Sequence, residues 1–474
     1  ARIQAIFTSN ATPLGECRMN RFFLAAAAPV AILVATPALA QSAESLAEMH
    51  QQIAEMKAEQ ARAGARIAQL EAQLAAAQPG NAQTPAPAAA APVMQQASRA
   101  SSSPVLFQTA QYTPGAAAPV NPAGGSAPGP LPASVPSKLT VNGDLRVRYE
   151  SNFGRTGVRD RDRGVLRARL RAAYAVNRWL TIGGQLGTGD NDDPNSTDQT
   201  LGNFVDDLTV SLDQAYMRGT FGDLTLVAGK IPQPFVRTEL VWDGDVNPQG
   251  VSGAYRLPLG GGASAKAVGM YFLIDEATGG EDSRMIGGQL QLETAASAPV
   301  KVELAASYYD YRLSSLAGGD TGDFRTNRFA AGQYLSDFNL LNLIGAVQFN
   351  GLGESWPVRI VADYVHNFGA TTDQDSGFGV DLLFGRGSKV HDWRFGYGYA
   401  ETGVDAVLAA FSHDNTDLAT NYRQHTLLVD YVVVPNVILN ATYYRYQAKS
   451  PLFTPAFSAS EWANRLRLNM LVNF

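Results

Sequence analysis

Apolar and polar side chains alternate along the last two thirds of the chain. At residues 466–474 every second side chain, beginning with Leu466, is apolar, and the positions between are polar apart from Leu471. Because successive side chains of a strand point to opposite faces, a period of two predicts a strand whose two faces meet different surroundings. Segments of this kind recur from Lys138 onward, separated by turn-forming clusters. They predict sixteen strands, near 138–151, 163–177, 178–189, 207–220, 222–231, 246–257, 263–275, 283–295, 299–312, 336–350, 356–369, 375–387, 389–402, 421–434, 436–448 and 461–474.

The predicted connections alternate in length. Short ones, such as Asn177-Arg178 and Pro435-Asn436, follow longer ones such as 190–206, 313–335 and 403–420. Short turns at one end and long loops at the other are typical of transmembrane barrels, as is an even number of strands. The pattern therefore predicts an all-β fold, a sixteen-stranded antiparallel transmembrane β-barrel over 138–474. A soluble all-β protein has a similar composition, and only the patterning favours the barrel.

The faces of the strands give the expected orientation of side chains. Apolar residues would face lipid, polar residues would face an aqueous lumen, and both chain ends would lie in the periplasm. Alternation is poor in strands 246–257 and 375–387. Two strands carry the clearest lipid-facing sets, Leu341, Leu343, Val347 and Phe349 in one and Trp393, Phe395, Tyr397 and Tyr399 in the other.

The start of the chain predicts export. Residues 19–40 have a positive start, an apolar middle and an Ala-Leu-Ala cleavage site, which is typical of a secretory signal peptide. Residues 1–18 precede Met19 and are interpreted as an upstream, non-native segment. The only cysteine, Cys17, lies before Met19, so the mature chain, starting near Gln41, would contain no disulfide.

Two segments of different composition separate the signal peptide from the barrel. Residues 41–78 contain a heptad pattern, which predicts a periplasmic trimeric coiled coil; an amphipathic helix packed on its own barrel is the alternative. Residues 79–137 are rich in Pro and Ala and predict a disordered linker. The predicted coiled-coil seam consists of Leu46, Met49, Ile53, Met56, Gln60, Ala63, Ile67, Leu70 and Leu74.

Composition excludes several functions. The net charge of −6 comes without a basic tail and does not favour nucleic-acid binding. The histidines lack metal-ligand spacing, and no motif implies a cofactor or an enzyme. Asp190, Asp192 and Asp193 resemble a calcium loop only weakly, because Pro194 occupies a ligand position. Ser412 and His413 lie in a long loop, which does not favour a nucleophile and its base.

Arginines form the most informative set on the polar faces. Alternation places them opposite apolar side chains in the first two strands and the last one, which become neighbours when the barrel closes. A wet lumen would solvate so many like charges; the alternative is that they pair with Asp144 and Glu150 to fill the barrel. The predicted pore-lining basic wall consists of Arg146, Arg148, Arg167, Arg169, Arg171, Arg465 and Arg467.

Three stretches resemble a known family. LDQAYM at 212–217, AGK at 228–230 and ELVWDGDVNPQG at 239–250 are similar to the Putative porin family of Gram-negative outer membranes, which is related in plan to sixteen-stranded general porins. The resemblance implies that the third long loop folds inward and that Glu239, Asp243 and Asp245 face the arginines; the alternative is an acidic surface loop. It also implies a homotrimer. The C-terminal Phe474 resembles the signal by which the barrel-assembly machinery recognises its substrates.

These observations lead to one expected function and two alternatives. The expectation is an outer-membrane porin, passing small hydrophilic solutes and ions by passive diffusion through a pore that the third loop narrows. There are two alternatives: a channel specific for an anion, phosphate or sugar, and a structural tether between outer membrane and cell wall. Outer-membrane lipids and lipopolysaccharide are the expected partners. No residue identifies a peptidoglycan ligand, so contact with peptidoglycan stays open.

Overall fold

The computed structural model describes residues 138–474 except 206, 296–297, 317, 320, 354, 455–456 and 458–460. The predicted signal peptide, coiled coil and linker lie outside the described residues. Sixteen long strands dominate the described part: β1 (Leu139–Phe153), β2 (Arg161–Ala175), β3 (Leu180–Thr188), β4 (Val210–Phe221), β5 (Leu224–Lys230), β6 (Gln249–Leu259), β7 (Ala263–Asp275), β8 (Ser283–Glu293), β9 (Val300–Arg312), β10 (Asn339–Phe349), β11 (Val358–Asn367), β12 (Ser376–Phe384), β13 (Trp393–Thr402), β14 (Tyr422–Val434), β15 (Val437–Ala448) and β16 (Ala463–Asn473).

The sixteen strands form one closed antiparallel barrel. Each pairs with its neighbours in chain order, and β16 pairs with β1, so that Val472 lies opposite Leu145 and Leu468 opposite Tyr149. The predicted fold class of the barrel is therefore confirmed, including the two strands whose alternation is poor. A short strand, Gln199–Thr200, adds to β2, and Phe329–Ala330 pairs with Gln333–Tyr334 in a small hairpin. The helical pieces are Asn203–Val205 and Thr321–Phe324.

The connections differ between the two ends of the barrel. At the end that holds both termini of the barrel, adjacent strands are joined by short turns such as 222–223, 260–262 and 435–436. At the opposite end the connections 189–209, 231–248 and 313–338 are long. The connection 403–421 is also long and lies at that end. The loop at 231–248 is the third at that end, and we call it loop 3; we call 403–421 loop 7.

The outer face of the barrel is apolar all the way round. In β1 Leu145, Val147 and Tyr149 are 38–46% exposed, whereas Arg146 and Arg148 between them are 2% exposed. The same alternation holds for Leu343 and Val347 in β10 and for the aromatic residues of β13. Within the described part of the chain, no helix is both long enough and apolar enough to cross a membrane.

The inner face differs from the uniformly polar one that alternation predicts. Along β7–β11 many inward side chains are apolar, and they form a buried cluster with residues of loop 3 and loop 7. Alternation fails there because both faces of these strands meet apolar surroundings. The inward apolar residues of this wall include Val268, Met270, Phe272, Met285, Tyr309, Tyr311, Leu340 and Val365.

Candidate functional site

The predicted arginines lie on the inner faces of β16, β1 and β2, where the pairing of these strands brings them together. Arg146 lies opposite Arg167 across the β1–β2 pair, and Arg467 lies opposite Glu150 across the β16–β1 pair. We call the seven residues the arginine ladder. Most of their side chains are almost fully buried, but those of Arg169 and Arg171 are 11% and 35% exposed. Of the seven side chains, these two are therefore the most accessible from inside the barrel.

One carboxylate of β1 pairs with three arginines of the ladder. Asp144 accepts hydrogen bonds from Arg167 Nη2 at 3.0 Å, Arg169 Nε at 2.9 Å and Arg171 Nη1 at 3.1 Å. Its side chain is 5% exposed. Charge-assisted hydrogen bonds of this kind are about twice as strong as neutral ones, so Asp144 orients three guanidiniums at once.

Glu150 plays the same part at the other end of β1. Its carboxylate accepts a hydrogen bond from Arg467 Nε at 2.7 Å and pairs with Arg163 Nη2 at 2.6 Å. Arg465 Nε and Arg148 Nη1 lie 3.7 Å from the same carboxylate. The pairing of the arginines with Asp144 and Glu150, which the sequence leaves as an alternative, is thus present in the structure.

A third carboxylate, Asp198, comes from the loop 189–209 and was not predicted. It pairs with Arg146 and, at 2.6 Å, with Arg148 Nη1. Burial raises the pKa of Asp198, but Arg146 and Arg148 outweigh it and hold the pKa below its ordinary value. The adjoining strand Gln199–Thr200 pairs with Val165 and Leu166 of β2 and so fixes this loop above the ladder. No local pattern in the sequence marks Asp198, because this pairing joins distant segments.

Loop 3 folds into the barrel and reaches opposite walls. Gln289 of β8 accepts a hydrogen bond from Val236 N at 2.7 Å, and Thr238 hydrogen bonds to Asp363 of β11. On the other side, Asp245 pairs with Arg169 Nη1 at 2.6 Å. Burial raises the pKa of Asp245, but Arg169 and the neighbouring arginines hold it below its ordinary value.

The base of loop 3 explains the motifs that carried the family resemblance. Gly229 of AGK and Gly250 of NPQG lie opposite each other with φ of +121° and +150°. A Cβ at either would overlap a backbone carbonyl oxygen of a neighbouring strand, so only glycine allows the chain to leave the wall here. Asp213 and Gln214 of LDQAYM hydrogen bond to Asn247 at 2.8 and 2.6 Å. The three motifs therefore meet where loop 3 begins and ends.

The structure separates the three predicted acidic residues of loop 3. Asp245 lies against the arginine ladder, whereas Glu239 and Asp243 lie where loop 3 meets loop 7. Glu239 Oε2 accepts a hydrogen bond from Asn415 Nδ2 at 3.0 Å, and Asp243 N donates to Phe411 O at 2.7 Å. The resemblance implies that all three residues face the arginine ladder. Of the three, Asp245 contacts the ladder in the structure.

Loop 7 also enters the barrel, which the sequence analysis did not predict. The residues from Val404 to Phe411 are almost completely buried, and Phe411 stacks on Trp242 of loop 3 with ring centroids 5.7 Å apart. Asn415 links three partners: its side-chain oxygen accepts from Arg467 Nη1 at 2.8 Å and from Tyr444 OH at 3.2 Å, and its amide donates to Glu239. We call this contact of loops 3 and 7 the loop seam.

Burial sets the protonation of the loop seam. It raises the pKa of Glu239 above its ordinary value, aided by the negative charge of Asp414. Burial also raises the pKa of Asp243, aided by Glu239. His413 is buried near Arg325 and the ladder, which lowers its pKa to about 3. The seam therefore contains a neutral histidine and carboxyl groups that retain protons more readily than exposed ones do.

The polar groups of the weak sequence motifs hydrogen bond within their own loops. The hydroxyl of Ser412 donates to the carbonyls of Ala409 and Ala419, and His413 Nδ1 accepts from Asn415 N. Asp190 and Asp193 accept hydrogen bonds from backbone N–H groups of their own loop. Within residues 138–474, apart from the gaps named above, no three His, Cys, Asp or Glu side chains are grouped to hold a metal. At the chain end, Phe474 pairs with Gly143 through two backbone hydrogen bonds of 2.8 and 3.0 Å.

The fold and the interior define a closed sixteen-stranded barrel with an apolar exterior and a charged, loop-filled interior. Residues 155–319 match the family described as "Putative porin", which confirms the resemblance over that segment. No curated protein matches the chain by sequence.

Three solved structures are similar to this chain, and each is aligned with 71% of it. OprB from Pseudomonas putida is 11% identical over 94% of its own chain, with a TM-score of 0.47. A form of the Vibrio cholerae outer membrane protein OmpT that lacks loop L8 is 12% identical over 100% of its chain, with a TM-score of 0.43. A triple mutant of the Rhodopseudomonas blastica porin is 10% identical over 100% of its chain, with a TM-score of 0.41.

Proposed function

We propose that this chain is an outer-membrane porin that passes small hydrophilic solutes and ions through its barrel. The observation that carries the proposal is a closed cylinder of sixteen strands with exposed apolar side chains around its whole exterior. A continuous apolar surface of this extent is unfavourable in water and suits lipid. Barrels of this strand number leave room for a channel.

Aromatic side chains at one end of the barrel support the membrane setting. Near the short turns, Trp179 stacks on Phe221 with ring centroids 5.4 Å apart, and Trp356 stacks on Phe384 at 4.8 Å. Trp393 and Tyr431 form a further pair at 4.6 Å. Such rings are typical of the interface between lipid chains and water. The end with the short turns would then face the periplasm.

The interior supports a narrow and charge-sensitive passage. Loop 3 and loop 7 both occupy the lumen, and Asp245 of loop 3 pairs directly with Arg169 of the arginine ladder. A field between fixed positive and negative groups favours hydrated polar solutes and discriminates between ions. The second inward loop favours the alternative of a solute-specific channel over an open diffusion pore. Trimer formation, lipopolysaccharide binding and the periplasmic coiled coil stay predictions from the sequence.

Conductance in planar lipid bilayers tests the proposal. The purified full chain should insert and give discrete current steps, and vesicles that contain it should become permeable to small sugars. Insertion is checked separately by protection of the barrel from protease. A protein that inserts and is protected, yet carries no current and no solute, would overturn the proposed function.

Charge neutralisation at the ladder gives a sharper prediction. Replacing Arg169 and Arg171, its most exposed members, by Gln should shift the reversal potential in a salt gradient toward cation selectivity, because two positive charges leave the passage. The matched control is Arg445→Gln, which removes one charge from the outer face, where this guanidinium lies 5.3 Å from the Trp462 ring. Equal reversal potentials for the double variant and the parent would exclude these arginines from the conduction path.

A further inference from the structure

A cavity of about 320 Å³ lies at the end of the barrel with the long loops. Loops 189–209, 313–338 and 403–421 enclose it together with the ends of β3, β4 and β7. It lies beside the arginine ladder and shares only Asp245 with the charged pairs described above. Cavities of this size that combine an apolar wall with a few polar groups are typical ligand sites.

One wall of the cavity carries carboxylates. Lys230 is its one ammonium group, and its Nζ donates to the carbonyl of Asn247 at 3.3 Å. Asp245 alone pairs with an arginine of the ladder at short distance. The carboxylates that line the cavity are Asp190, Asp192, Asp193, Asp213, Asp245, Asp275 and Asp323.

Uncharged groups satisfy several of these carboxylates. Asp213 accepts hydrogen bonds from the side-chain amides of Gln185 and Asn247, and Asp275 accepts from the Ser315 hydroxyl at 2.8 Å. Asp193 accepts from the backbone N–H of Asn195 at 3.1 Å. Neutral donors orient a carboxylate without cancelling its charge. The cations near these groups are Arg325, beside Asp193, and Lys230, beside Asp213, so the carboxylates outnumber them and the wall keeps an excess of negative charge.

A second wall of the cavity is apolar and aromatic, and it borders Asp275 and Asp323, which lie on the same segments. Phe272 and Phe411 lie 5.3 Å apart, and Phe324 meets Tyr334 edge to face at 5.6 Å. Leu316 and other aliphatic residues of loops 313–338 and 403–421 extend this wall. Aromatic faces attract cations as well as apolar groups, so the two walls favour different ends of the same molecule.

We infer that this cavity binds an organic cation: an ammonium group against the aspartates and an apolar body against the aromatic wall. A neutral sugar would leave the charge of the carboxylates uncompensated, and an anion would be repelled by them. The inference rests on the proposed function in one respect, since it names a solute class that the channel would collect at its mouth. Binding itself does not require conduction.

Isothermal titration calorimetry of the full chain in detergent tests the inference, with phenethylamine as the probe. Phenethyl alcohol lacks the charge, hydrocinnamate reverses it, and ethylamine lacks the ring. Phenethylamine should bind, and each of the other three should bind at least about tenfold more weakly, the loss expected when one charged hydrogen bond or a buried ring is removed.

Variants of the two walls complete the test. The double variant Asp193→Asn with Asp275→Asn, and separately Leu316→Ser, should each weaken phenethylamine binding by about tenfold. The matched control, Asp160→Asn with Asp373→Asn, removes two carboxylates from exposed loops outside the cavity and should leave binding unchanged. All variants must show the heat-dependent gel mobility of a folded barrel.

The outcomes separate the inference from the proposed function. Equal affinity for the amine and the alcohol, or unchanged amine binding in both wall variants, would overturn the inference. Binding of calcium ions without binding of phenethylamine would also overturn it. If the barrel conducts but does not bind the amine, the inference is wrong and the proposed function stands. If an inserted barrel binds the amine but does not conduct, the proposed function is wrong and the binding site stands.

Discussion

Asp144 shows how much the interior depends on single residues. Three guanidiniums converge on its carboxylate, which is almost completely buried between β1 and β2. Like charges at this separation repel one another, and the low-dielectric surroundings strengthen that repulsion. The ladder therefore needs Asp144 to hold Arg167, Arg169 and Arg171 side by side.

Replacing Asp144 by Asn should lower the free energy of unfolding by about 3–5 kcal/mol, the usual cost of removing one partner from a buried charged group. Urea unfolding of the barrel from lipid vesicles measures this change. The control is Asp310→Asn, because Asp310 pairs with Arg312 at an exposed site and such pairs contribute about 1 kcal/mol or less. Equal losses in the two variants would contradict a structural role for Asp144.

At the residue scale, alternation within a strand predicts which arginines point inward. The period of two is a local property of the chain, so Arg146 and Arg467 can be assigned to the inner face from their apolar neighbours alone. The partners of these arginines cannot be assigned from alternation. Asp198 reaches the ladder only because Gln199–Thr200 adds to the edge of β2, a contact between segments that are distant in sequence.

At the element scale, the loop seam decides how the interior is filled. Loop 3 is anchored by paired glycines and by Asn247 at its base, and loop 7 covers it from above through Phe411 and Asn415. Loops that pack against each other in this way open less easily than loops that lie free in water. A rearrangement of either loop would change the passage.

The raised pKa of Glu239 predicts a pH-dependent passage. Burial favours the protonated carboxyl group in the folded state, so the seam is most stable in acid and loses stability as the pH rises above the ordinary pKa of glutamate. Single-channel conductance should therefore be larger at pH 8 than at pH 5. The charged groups that face Glu239 are Asp414, Arg237, Asp243 and Asp245. His413 has a pKa of about 3 and stays neutral across this range.

Two variants separate this titration from a general loosening of the loops. Glu239→Gln keeps an acceptor for Asn415 but cannot ionise, so its conductance should stay low and depend less on pH. Asn415→Ala removes the hydrogen bonds to Arg467 and Glu239 and should raise conductance at both pH values. A pH response in Glu239→Gln that equals that of the parent would show that another group controls the passage.

At the scale of the whole molecule, the apolar exterior predicts the surroundings of the barrel. Leu343 lies near the middle of β10 and Phe349 at its end, and both are 42% exposed on the outer face. In a bilayer, Leu343→Arg should cost about 2–4 kcal/mol of folding free energy and Phe349→Arg about 0–1 kcal/mol. Folding titrations in lipid vesicles measure both. Similar small costs at the two depths would mean that this face does not meet lipid.

Much of the barrel was predictable from the sequence, since most of the sixteen strands follow from local alternation and turn chemistry, and their even number is typical of a closed barrel. Loop 7 was not. Its run VDAVLAAF, at residues 404–411, is too apolar for a loop in water, and that was the one signal that it folds inward. The signal does not say where the run packs, because its partners lie on loop 3 and on the far wall.

The number of strands, the outward and inward faces of most of them and the position of the arginine ladder could all be read from the order of residues. These features depend on the order of neighbouring residues, which a period of two and a turn signal describe completely. The contents of the lumen became visible in the folded barrel: the seam between loops 3 and 7, the apolar inner wall of β7–β11 and the cavity at the end with the long loops. These features depend on contacts between segments that come together only when the barrel closes.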